Sequence, residues 1–527
     1  MKKNQKYLLL ISIFSLLTVS SCKNSLQELS INENKPVSAP ANLILTGILN
    51  DMYDRPYSNY EVWDQYYLNN YDYYGNNRYD FGQANMYYNT LKNVTKMEDE
   101  ALKAGQDKIN PYEALGKFFR AYFFTKMSLA LGDIPMTEAL KGIDNLTPAY
   151  DTQKEVFKQS LALLEEANTD LASIIASKKG ELQGDFYFAN DLLKWQKTVN
   201  TFKIRLLIAL SLKENDADLN IKQQFANILN NSTKYPIYSS ADDNLQYIFN
   251  STTNKYPNNP DNYGFDNSRT NCSATYVGLL TSIKDPRVFV TSEPARYYVD
   301  NLNQSPTDFN SFVGADPGLD LGIMYSNAGL QKYSFINRKR YYSTYVGEPS
   351  IQIGYPEMCF NIAEAINRGW ASGNAEDWYI KGIQSSWAFY GIPTTGSFAA
   401  YFYTPGSTDP TKSQNYQSYT INTNWDNYYN QTSVKYAGNN ATGIKQINEQ
   451  KYLAMFRHSG LEAFYNNRRT GVPTFTTGPG TGNSGRIPFR FIYPTSEITS
   501  NNANYTAAIQ SQFGGDDNIN QKPWIVK

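Results

Sequence analysis

The chain has 527 residues, 41% of them hydrophobic and 18% charged, which is enough to bury a large core. Its 48 basic and 49 acidic side chains nearly balance, and no basic stripe is present, which argues against a nucleic-acid partner. The 43 tyrosines exceed what a core needs, so many must lie near the surface, where their rings suit sugar ligands; plain compositional bias is the alternative.

The first 21 residues predict a secretory signal peptide. Three early lysines precede an apolar stretch, 8–19, that is too short to span a bilayer. Small residues then lead into Cys22, which resembles a lipobox, in which the cysteine is acylated after cleavage. We therefore predict that Cys22 is the lipid anchor. An ordinary signal peptide followed by a chance cysteine is the alternative.

An aromatic and amide-rich segment follows at 63–79. Aromatic rings can stack on the C–H face of a sugar, while asparagine and arginine hydrogen-bond its hydroxyls. This pattern predicts a ligand-binding surface, and the alternative is that half of the rings pack inward. The candidate residues are Trp63, Tyr66, Tyr71, Tyr73, Tyr74, Asn76 and Arg78.

Apolar residues recur at helical spacing in the segments beyond this surface. Helices are predicted at 111–131, 151–177, 191–213, 355–370, 375–390 and 447–465. Helical pairs joined by short turns are typical of tetratricopeptide-like scaffolds, although no strict repeat aligns. The predicted fold class is therefore mainly α, a tetratricopeptide-like scaffold of helical pairs with long loop insertions. One domain, 22–527, is favoured over two lobes that meet near residue 235.

Two polar stretches, 235–345 and 393–443, are predicted to be long functional loops. The first carries a second set of candidate ligand-binding residues. These are Tyr325, Asn337, Arg338, Tyr341 and Tyr342. The same stretch contains Asp316 and Asp320, which lack the full ligand spacing of an EF-hand. We therefore predict no metal site and no cofactor, with calcium as the remaining option.

The sequence contains no motif that carries catalysis. The only histidine, His458, is expected to be structural, and Gly480, Gly482 and Gly485 match a dinucleotide pattern without opening a helix. The paired carboxylates of a glycosidase can lie far apart in sequence, so a glycoside hydrolase stays an alternative. Cys272 and Cys359 do not indicate a disulfide framework, and Cys359 is expected to be buried.

Several segments resemble, in order, landmarks of the SusD/RagB family of nutrient-binding outer-membrane lipoproteins. The most specific is YPEMCFNIAEAINRG at 355–369, in which a helix ends in Ala-Glu-Ala and then Arg-Gly. Further landmarks lie at 131–135, 195–205, 450–471 and 486–524. Together with the lipobox they cover nearly the whole mature chain.

The resemblance implies a non-catalytic lipoprotein of the outer membrane that faces the exterior. It implies a lid-like role over a SusC-like TonB-dependent transporter. The loops rich in Tyr, Trp and Asn add the expectation that the protein binds oligosaccharides or polysaccharides and passes them to this transporter. The landmarks are scaffold residues, so the resemblance transfers no ligand-binding residue. A peptide-binding member of the same family and a purely structural surface protein are further alternatives.

Overall fold

The computed structural model describes residues 38–527, and within this range it contains twenty helices and six strands. The predicted signal peptide and Cys22 lie outside the described residues. The helices are α1 (Ala41–Asp51), α2 (Asn59–Trp63), α3 (Tyr88–Lys103), α4 (Pro111–Leu131), α5 (Gln153–Ser177), α6 (Leu192–Ala209), α7 (Ile221–Asn230), α8 (Tyr263–Asp266), α9 (Ala274–Ser282), α10 (Val288–Thr291), α11 (Arg296–Asp300), α12 (Leu321–Gly329), α13 (Arg338–Tyr341), α14 (Tyr355–Asn367), α15 (Ala375–Phe389), α16 (Trp425–Tyr429), α17 (Ala441–Ala454), α18 (Glu462–Thr470), α19 (Thr495–Ser500) and α20 (Asn502–Phe513). The strands are β1 (Tyr67–Asn69), β2 (Leu245–Tyr247), β3 (Thr270–Cys272), β4 (Ser350–Ile353), β5 (Thr395–Tyr403) and β6 (Tyr416–Asn424).

Long helices that follow one another in the chain form the scaffold. Helix α4 packs on α5, α5 on α6 and α14 on α15, while α17 packs against α14. Their apolar faces meet in one large core, which confirms the predicted mainly α class with helical pairs. Of the helices within residues 38–527, none is both long and apolar enough to cross a bilayer.

Helix α4 begins and ends where the sequence predicts. The side chain of Asn110 caps its first turn, Pro111 occupies the first helical position, and Gly132 stops the helix with φ 114°. Helix α5 begins later than predicted because Thr152, rather than Asp151, caps it. The Asp151 carboxylate instead accepts hydrogen bonds from backbone N–H groups of the loop after α4.

The predicted helix 447–465 is wrong, because two helices, α17 and α18, occupy this region with a break between them. Arg457, Ser459 and Gly460 in the break have positive φ values of 66°, 61° and 57°, which a right-handed helix cannot accommodate. The buried Arg457 guanidinium donates to Asn258 and contacts the Glu61 carboxylate. Tertiary contacts therefore end α17 where the local pattern predicts that it continues.

The two long polar stretches are more ordered than predicted. The stretch 393–443 contains the hairpin β5–β6, which pairs antiparallel from Thr395 opposite Asn424 to Tyr403 opposite Tyr416. The stretch 235–345 contains short helices and the strands β2 and β3, which pair antiparallel with β4 and β1. Polar residues are frequent in these segments because one side of each faces solvent.

The Ala-Glu-Ala segment of α14 contributes a buried carboxylate to the scaffold. Glu364 accepts hydrogen bonds from Arg469 on α18 and, at 2.9 Å, from Arg368 one turn later in its own chain. Burial raises the pKa of the Glu364 carboxyl, but the two guanidinium groups outweigh this effect and hold the pKa at about 2. The ion pair links α14 to α18, so these charged residues serve the fold.

Candidate functional site

Four exposed or half-exposed tyrosines and one arginine form an aromatic platform on the surface. The rings of Tyr71 and Tyr325 stack with their centroids 5.3 Å apart, and Tyr73 and Tyr74 meet edge to face at 5.3 Å. The Arg269 guanidinium lies 4.8 Å from the Tyr71 ring centroid and 5.8 Å from that of Tyr74. The structure thus brings residues of the two predicted clusters, 63–79 and 325–345, into one surface.

Strand pairing and a side-chain clamp position the loop that carries three of these rings. Strand β1 pairs with β3, and the Asn70 N–H donates to the Arg269 carbonyl at 2.9 Å, which places Arg269 beside the loop. The Asn77 side chain bonds the backbone of Asn69 and so brings the two ends of the loop together. Gly75 lies inside the turn with φ 143°, where a side chain would meet the Asn69 amide.

A small second hydrophobic cluster holds the other half of the platform. Asp320 caps α12, and Met324 and Ala328 are buried on its inner face, while Tyr325 lies exposed on the outer face. The partners of Met324 in this cluster are Leu68, Ala315, Ala328 and Tyr333. Because Leu68 belongs to β1, one cluster fixes both the strand that precedes the loop and the helix that carries Tyr325.

A surface cavity of about 370 Å³ adjoins the platform and shares Arg269 and Tyr325 with it, and Asn70 also lines this cavity. Polar side chains and rings form the rest of its wall. They include Glu293, Arg296, Gln331, Arg338 and Tyr403. The volume lies in the range of about 300–1,000 Å³ that is typical of sites for small ligands. Platform and cavity together offer stacking surfaces beside hydrogen-bonding groups.

Three predicted site residues belong to the core instead. Tyr66 stacks on Tyr452 with centroids 4.6 Å apart and donates its hydroxyl proton to the Tyr452 carbonyl at 2.8 Å. Tyr341 lies under the Arg457 guanidinium, and the Tyr342 hydroxyl accepts a hydrogen bond from a buried asparagine. All three rings are fully buried, so the prediction that they contact a ligand is corrected.

The neighbouring Asn337 and Arg338 have mainly structural contacts. The Asn337 side chain caps α13 and donates to the Tyr401 carbonyl at 3.0 Å. Arg338 pairs with the Glu293 carboxylate and lines the cavity beside the platform, and its Nε is buried without a partner among the described residues. Arg338 therefore stays a candidate for ligand binding, whereas the buried Asn337 does not.

Trp63, Asn76 and Arg78 have contacts other than those within the platform. Trp63 is half-buried, donates from Nε1 to the Arg78 carbonyl at 3.0 Å, and packs on Phe81 with ring centroids 4.5 Å apart. The exposed Arg78 side chain pairs with Asp80, and the Asn76 side chain accepts from the Arg78 N–H. Trp63 lines a different cavity, which is described below.

Arg269 is the platform residue that the sequence prediction missed. It follows polar residues in the stretch 235–345 and has no aromatic neighbour in sequence. Only the long-range pairing of β1 with β3 brings it to Tyr71 and Tyr74. A local pattern cannot reveal such a contact.

The histidine and the two cysteines of the described residues are buried. His458 accepts a weak hydrogen bond at 3.4 Å from the Ile351 N–H, and burial lowers its pKa to about 4. Burial likewise raises the pKa of the Cys272 and Cys359 thiols to about 12, and both cysteines are free. These environments suit packing rather than proton transfer or nucleophilic attack.

The acidic residues considered for calcium have local structural contacts. The Asp316 carboxylate accepts from the Gly318 N–H, and Asp320 caps α12. Within residues 38–527, no group of three or more His, Cys, Asp or Glu side chains is arranged to hold a metal ion. The absence of a metal site, with calcium as the remaining option, stays a prediction.

Comparison with known proteins gives a consistent result. Residues 30–494 match a SusD-like family that is described as starch-binding and associating with the outer membrane. Comparison of the sequence with curated proteins finds no match. Two crystal structures of SusD homologues from Bacteroides fragilis NCTC 9343 are 29% and 30% identical, with TM-scores of 0.79 and 0.74. In both cases the alignment covers 93% of this chain and 100% of the other.

A chitin-binding SusD homologue from Flavobacterium johnsoniae has the same fold at lower identity. It is 19% identical, with a TM-score of 0.66, and the alignment covers 92% of this chain and 98% of the other. At this identity the likeness concerns the fold alone. The scaffold of helical pairs is thus that of the SusD homologues.

Proposed function

Because the chain belongs to the SusD-like family, starch-binding proteins associated with the outer membrane, we propose that it captures oligosaccharides at the cell surface. The proposed site is the aromatic platform with its adjoining cavity. We propose further that the protein delivers the glycan to a SusC-like TonB-dependent transporter without changing it chemically. Capture and delivery need binding and release, but no catalytic group.

One observation carries this proposal: Tyr71 and Tyr325, from segments far apart in the chain, stack side by side on the surface. Monomeric proteins seldom leave large aromatic groups exposed together unless the patch binds something. Tyr73 is 82% exposed, so its ring contributes little to the fold that burial could explain. The exposure of these rings therefore supports a role in ligand binding.

The chemistry of the platform favours a sugar as the ligand. Each tyrosine offers an apolar ring face for the C–H side of a sugar and a hydroxyl at its edge. Arg269 supplies N–H donors next to the Tyr71 and Tyr74 rings, and Arg338 lines the adjoining cavity, which suits the oxygens of a glycan. The chitin-binding relative uses the same fold, which fits this ligand class. A peptide is the competing ligand, since its side chains also stack on rings.

The N-terminal segment is proposed to attach a single domain to the membrane. We propose that residues 1–21 are removed, that Cys22 is lipidated, and that residues 22–527 work as a single domain. The protein would then lie on the outer membrane and face the exterior, where large glycans are found. No cofactor is proposed, and binding that is lost on adding a calcium chelator would contradict this part.

The test is calorimetry on the mature protein without Cys22, against panels of oligosaccharides and of peptides. We expect saturable glycan binding that weakens about tenfold or more in the double variant Tyr71→Ala, Tyr325→Ala, since each lost stacking ring costs about 1 kcal/mol. Tyr401→Ala removes another exposed tyrosine, on β5, and serves as the matched control with unchanged affinity.

The alternatives give different results in the same experiment. Peptide binding without glycan binding would replace the proposed ligand class but keep the platform. Chromatography of each mixture checks for shortened glycans, and their formation by the pure protein would establish a glycoside hydrolase. Glycan binding that the double variant retains in full would show that the site lies elsewhere. A protein with a purely structural role would bind neither panel.

A further inference from the structure

A second cavity of about 260 Å³ lies within the helical scaffold. Side chains from α2, α4, α6 and α18 line it, together with the chain before α3, and none of its lining residues belongs to the cavity beside the platform. Gln83 and Asn85 are exposed and lie at its rim. The cavity is therefore separate from the platform and is reached from solvent beside these two residues.

Aromatic rings form much of the cavity wall. Trp63 and Tyr60 contribute from α2, Tyr465 from α18 and Tyr87 from the residue before α3, and Phe491 packs edge to face on Trp63 at 5.7 Å. The hydroxyls of Tyr60 and Tyr465 have no hydrogen-bond partner among residues 38–527, and both tyrosines are half-buried. Rings with unpaired hydroxyls suit a ligand that is apolar on its faces and polar at its edge.

One carboxylate in the wall, that of Glu462, is half-buried, with 22% of its side chain exposed. Glu462 accepts no side-chain hydrogen bond within the described part of the chain, and its nearest cation is Nη1 of Arg205 at 3.9 Å. Arg205 has its Nε and Nη2 committed to the Glu357 carboxylate at 2.7 and 2.5 Å. The Glu462 carboxylate and Arg205 Nη1 thus offer a hydrogen-bond acceptor and a donor to a ligand in the cavity.

The charges in the wall balance. Asp54 and Lys126 neutralise each other through two bonds of 2.8 and 2.7 Å, and Glu462 stands opposite Arg205. Two acidic and two basic side chains line the cavity, and Arg205 also pairs with Glu357, which does not line it, so an anionic ligand is not favoured. A ligand without negative charge, with several groups that both donate and accept hydrogen bonds, matches this wall.

We propose that this cavity binds a single neutral sugar ring, held between the aromatic walls with its hydroxyls bonded to Glu462 and Arg205. The volume lies just below the range of about 300–1,000 Å³ for small-ligand sites, which leaves room for one ring and excludes a longer chain. The ring is either a free monosaccharide or the terminal unit of a glycan that enters past Gln83. This inference is independent of the platform.

The experiment measures thermal unfolding and calorimetric binding with D-glucose, D-galactose, D-mannose and N-acetyl-D-glucosamine, each up to high millimolar concentration. Four variants of the mature chain without Cys22 are compared with the parent protein. They are Glu462→Gln, Ala84→Phe, the platform double variant Tyr71→Ala, Tyr325→Ala, and the control Glu166→Gln. Glu166 is an exposed glutamate on α5, whereas Ala84 lines the cavity, where a phenyl ring would fill it.

We expect at least one of the four sugars to raise the Tm of the parent protein, of the platform variant and of Glu166→Gln alike. Glu462→Gln should weaken that binding about tenfold or more, since a hydrogen bond to a charged group is lost, and Ala84→Phe should abolish it. A disaccharide that ends in the bound sugar distinguishes a free monosaccharide from the terminal unit of a glycan. Equal affinity for the monosaccharide and the disaccharide would indicate that the cavity recognises a terminal unit. Loss of binding for the disaccharide would indicate that it recognises a free monosaccharide.

Three results would overturn the proposal. They are absence of any Tm shift or heat of binding with all four sugars, loss of monosaccharide binding in the platform variant, and unchanged affinity in both cavity variants. Glu462→Gln is close to isosteric and should fold, which its Tm without sugar and its circular dichroism spectrum verify. Ala84→Phe prevents binding in a different way, by filling the cavity. Failure of oligosaccharide binding at the platform would leave these results untouched.

Discussion

The side-chain amide of Asn77 forms two hydrogen bonds with the backbone of Asn69, accepting from its N–H and donating to its carbonyl, each at 2.8 Å. The pair acts like one rung of a sheet and closes the loop 70–76, which carries Tyr71, Tyr73 and Tyr74. Asn69 and Asn77 are both buried, so water does not compete for these bonds. The geometry of the platform thus depends on one asparagine side chain.

We predict that Asn77→Ala weakens glycan binding about tenfold or more and lowers the free energy of unfolding by about 2 kcal/mol, since the Asn69 N–H and carbonyl lose their partners. Urea unfolding and calorimetry measure the two effects. Asn502→Ala is the matched control, because Asn502 is exposed on α20, away from the loop in sequence, and water can replace its bond to the Ile498 carbonyl. Unchanged affinity in Asn77→Ala would contradict the role of the clamp.

Met324→Ala should disturb the platform from below. Met324 is fully buried in the small cluster with Leu68 and precedes Tyr325 in α12. Its truncation leaves a cavity that costs about 3 kcal/mol and loosens the packing between α12 and β1. We expect reduced glycan affinity together with faster hydrogen exchange in α12. Ile323→Ala, at a neighbouring position that is 53% exposed, should change neither quantity.

The ion pair of Glu364 predicts a stability that depends on pH. Its pKa in the folded protein, about 2, lies below that of an unfolded glutamate, about 4.5, so the carboxylate stabilises the fold above pH 4.5. This contribution is lost as the pH falls towards 2. Glu364→Gln should lower the free energy of unfolding by about 3 kcal/mol at pH 7, because Arg469 and Arg368 lose their partner.

Urea unfolding of both proteins between pH 7 and pH 3 provides the test. We expect the difference between the parent protein and Glu364→Gln to shrink as the pH falls below 4.5. A difference that stays constant with pH would show that packing, not charge, explains the effect of the substitution.

The two free cysteines should be inert in the native protein. Burial raises the pKa of the Cys272 and Cys359 thiols to about 12, so hardly any thiolate exists at pH 8 and reagents cannot reach it. In the mature chain without Cys22, a thiol-specific disulfide reagent should detect no thiol before unfolding and two afterwards. Rapid labelling of a native thiol would contradict the burial of that cysteine.

Cys22→Ala tests the predicted anchor. In cells that process lipoproteins, we expect the parent protein in the membrane fraction, labelled by a fatty-acid analogue, and the variant without label in the soluble fraction. Cys359→Ala controls for loss of a buried cysteine. Membrane retention of an unlabelled Cys22→Ala protein would mean that another contact holds it there.

Helix α4 shows which features could be predicted from the sequence. Its cap, Asn110, its first residue, Pro111, and its stop, Gly132, are local signals, and its apolar spacing is regular. The end of α17 could not be predicted, because it depends on the contact of Arg457 with Glu61, almost 400 positions away. Local patterns locate long helices, whereas breaks imposed by distant partners escape them.

The same distinction applies to the candidate site. Exposed tyrosines in a polar loop indicate binding, and Tyr71, Tyr73 and Tyr325 indeed meet on the surface. The sequence could not separate them from Tyr341 and Tyr342, which belong to similarly polar surroundings but are buried under residues from other parts of the chain. Whether a tyrosine faces solvent depends on tertiary contacts that composition does not encode.

The clamp between Asn69 and Asn77 holds the ends of the loop 70–76 independently of the exposed side chains within the loop. Its ends are fixed by backbone and amide groups, and the small cluster below it is separate from the main core. Substitutions at the exposed loop positions Tyr71, Asp72 and Tyr73 should therefore change the proposed ligand surface at little cost to stability, whereas the buried Asn70 and Gly75, with its positive φ, maintain the loop conformation. We expect proteins that share this scaffold to differ in specificity at these exposed positions.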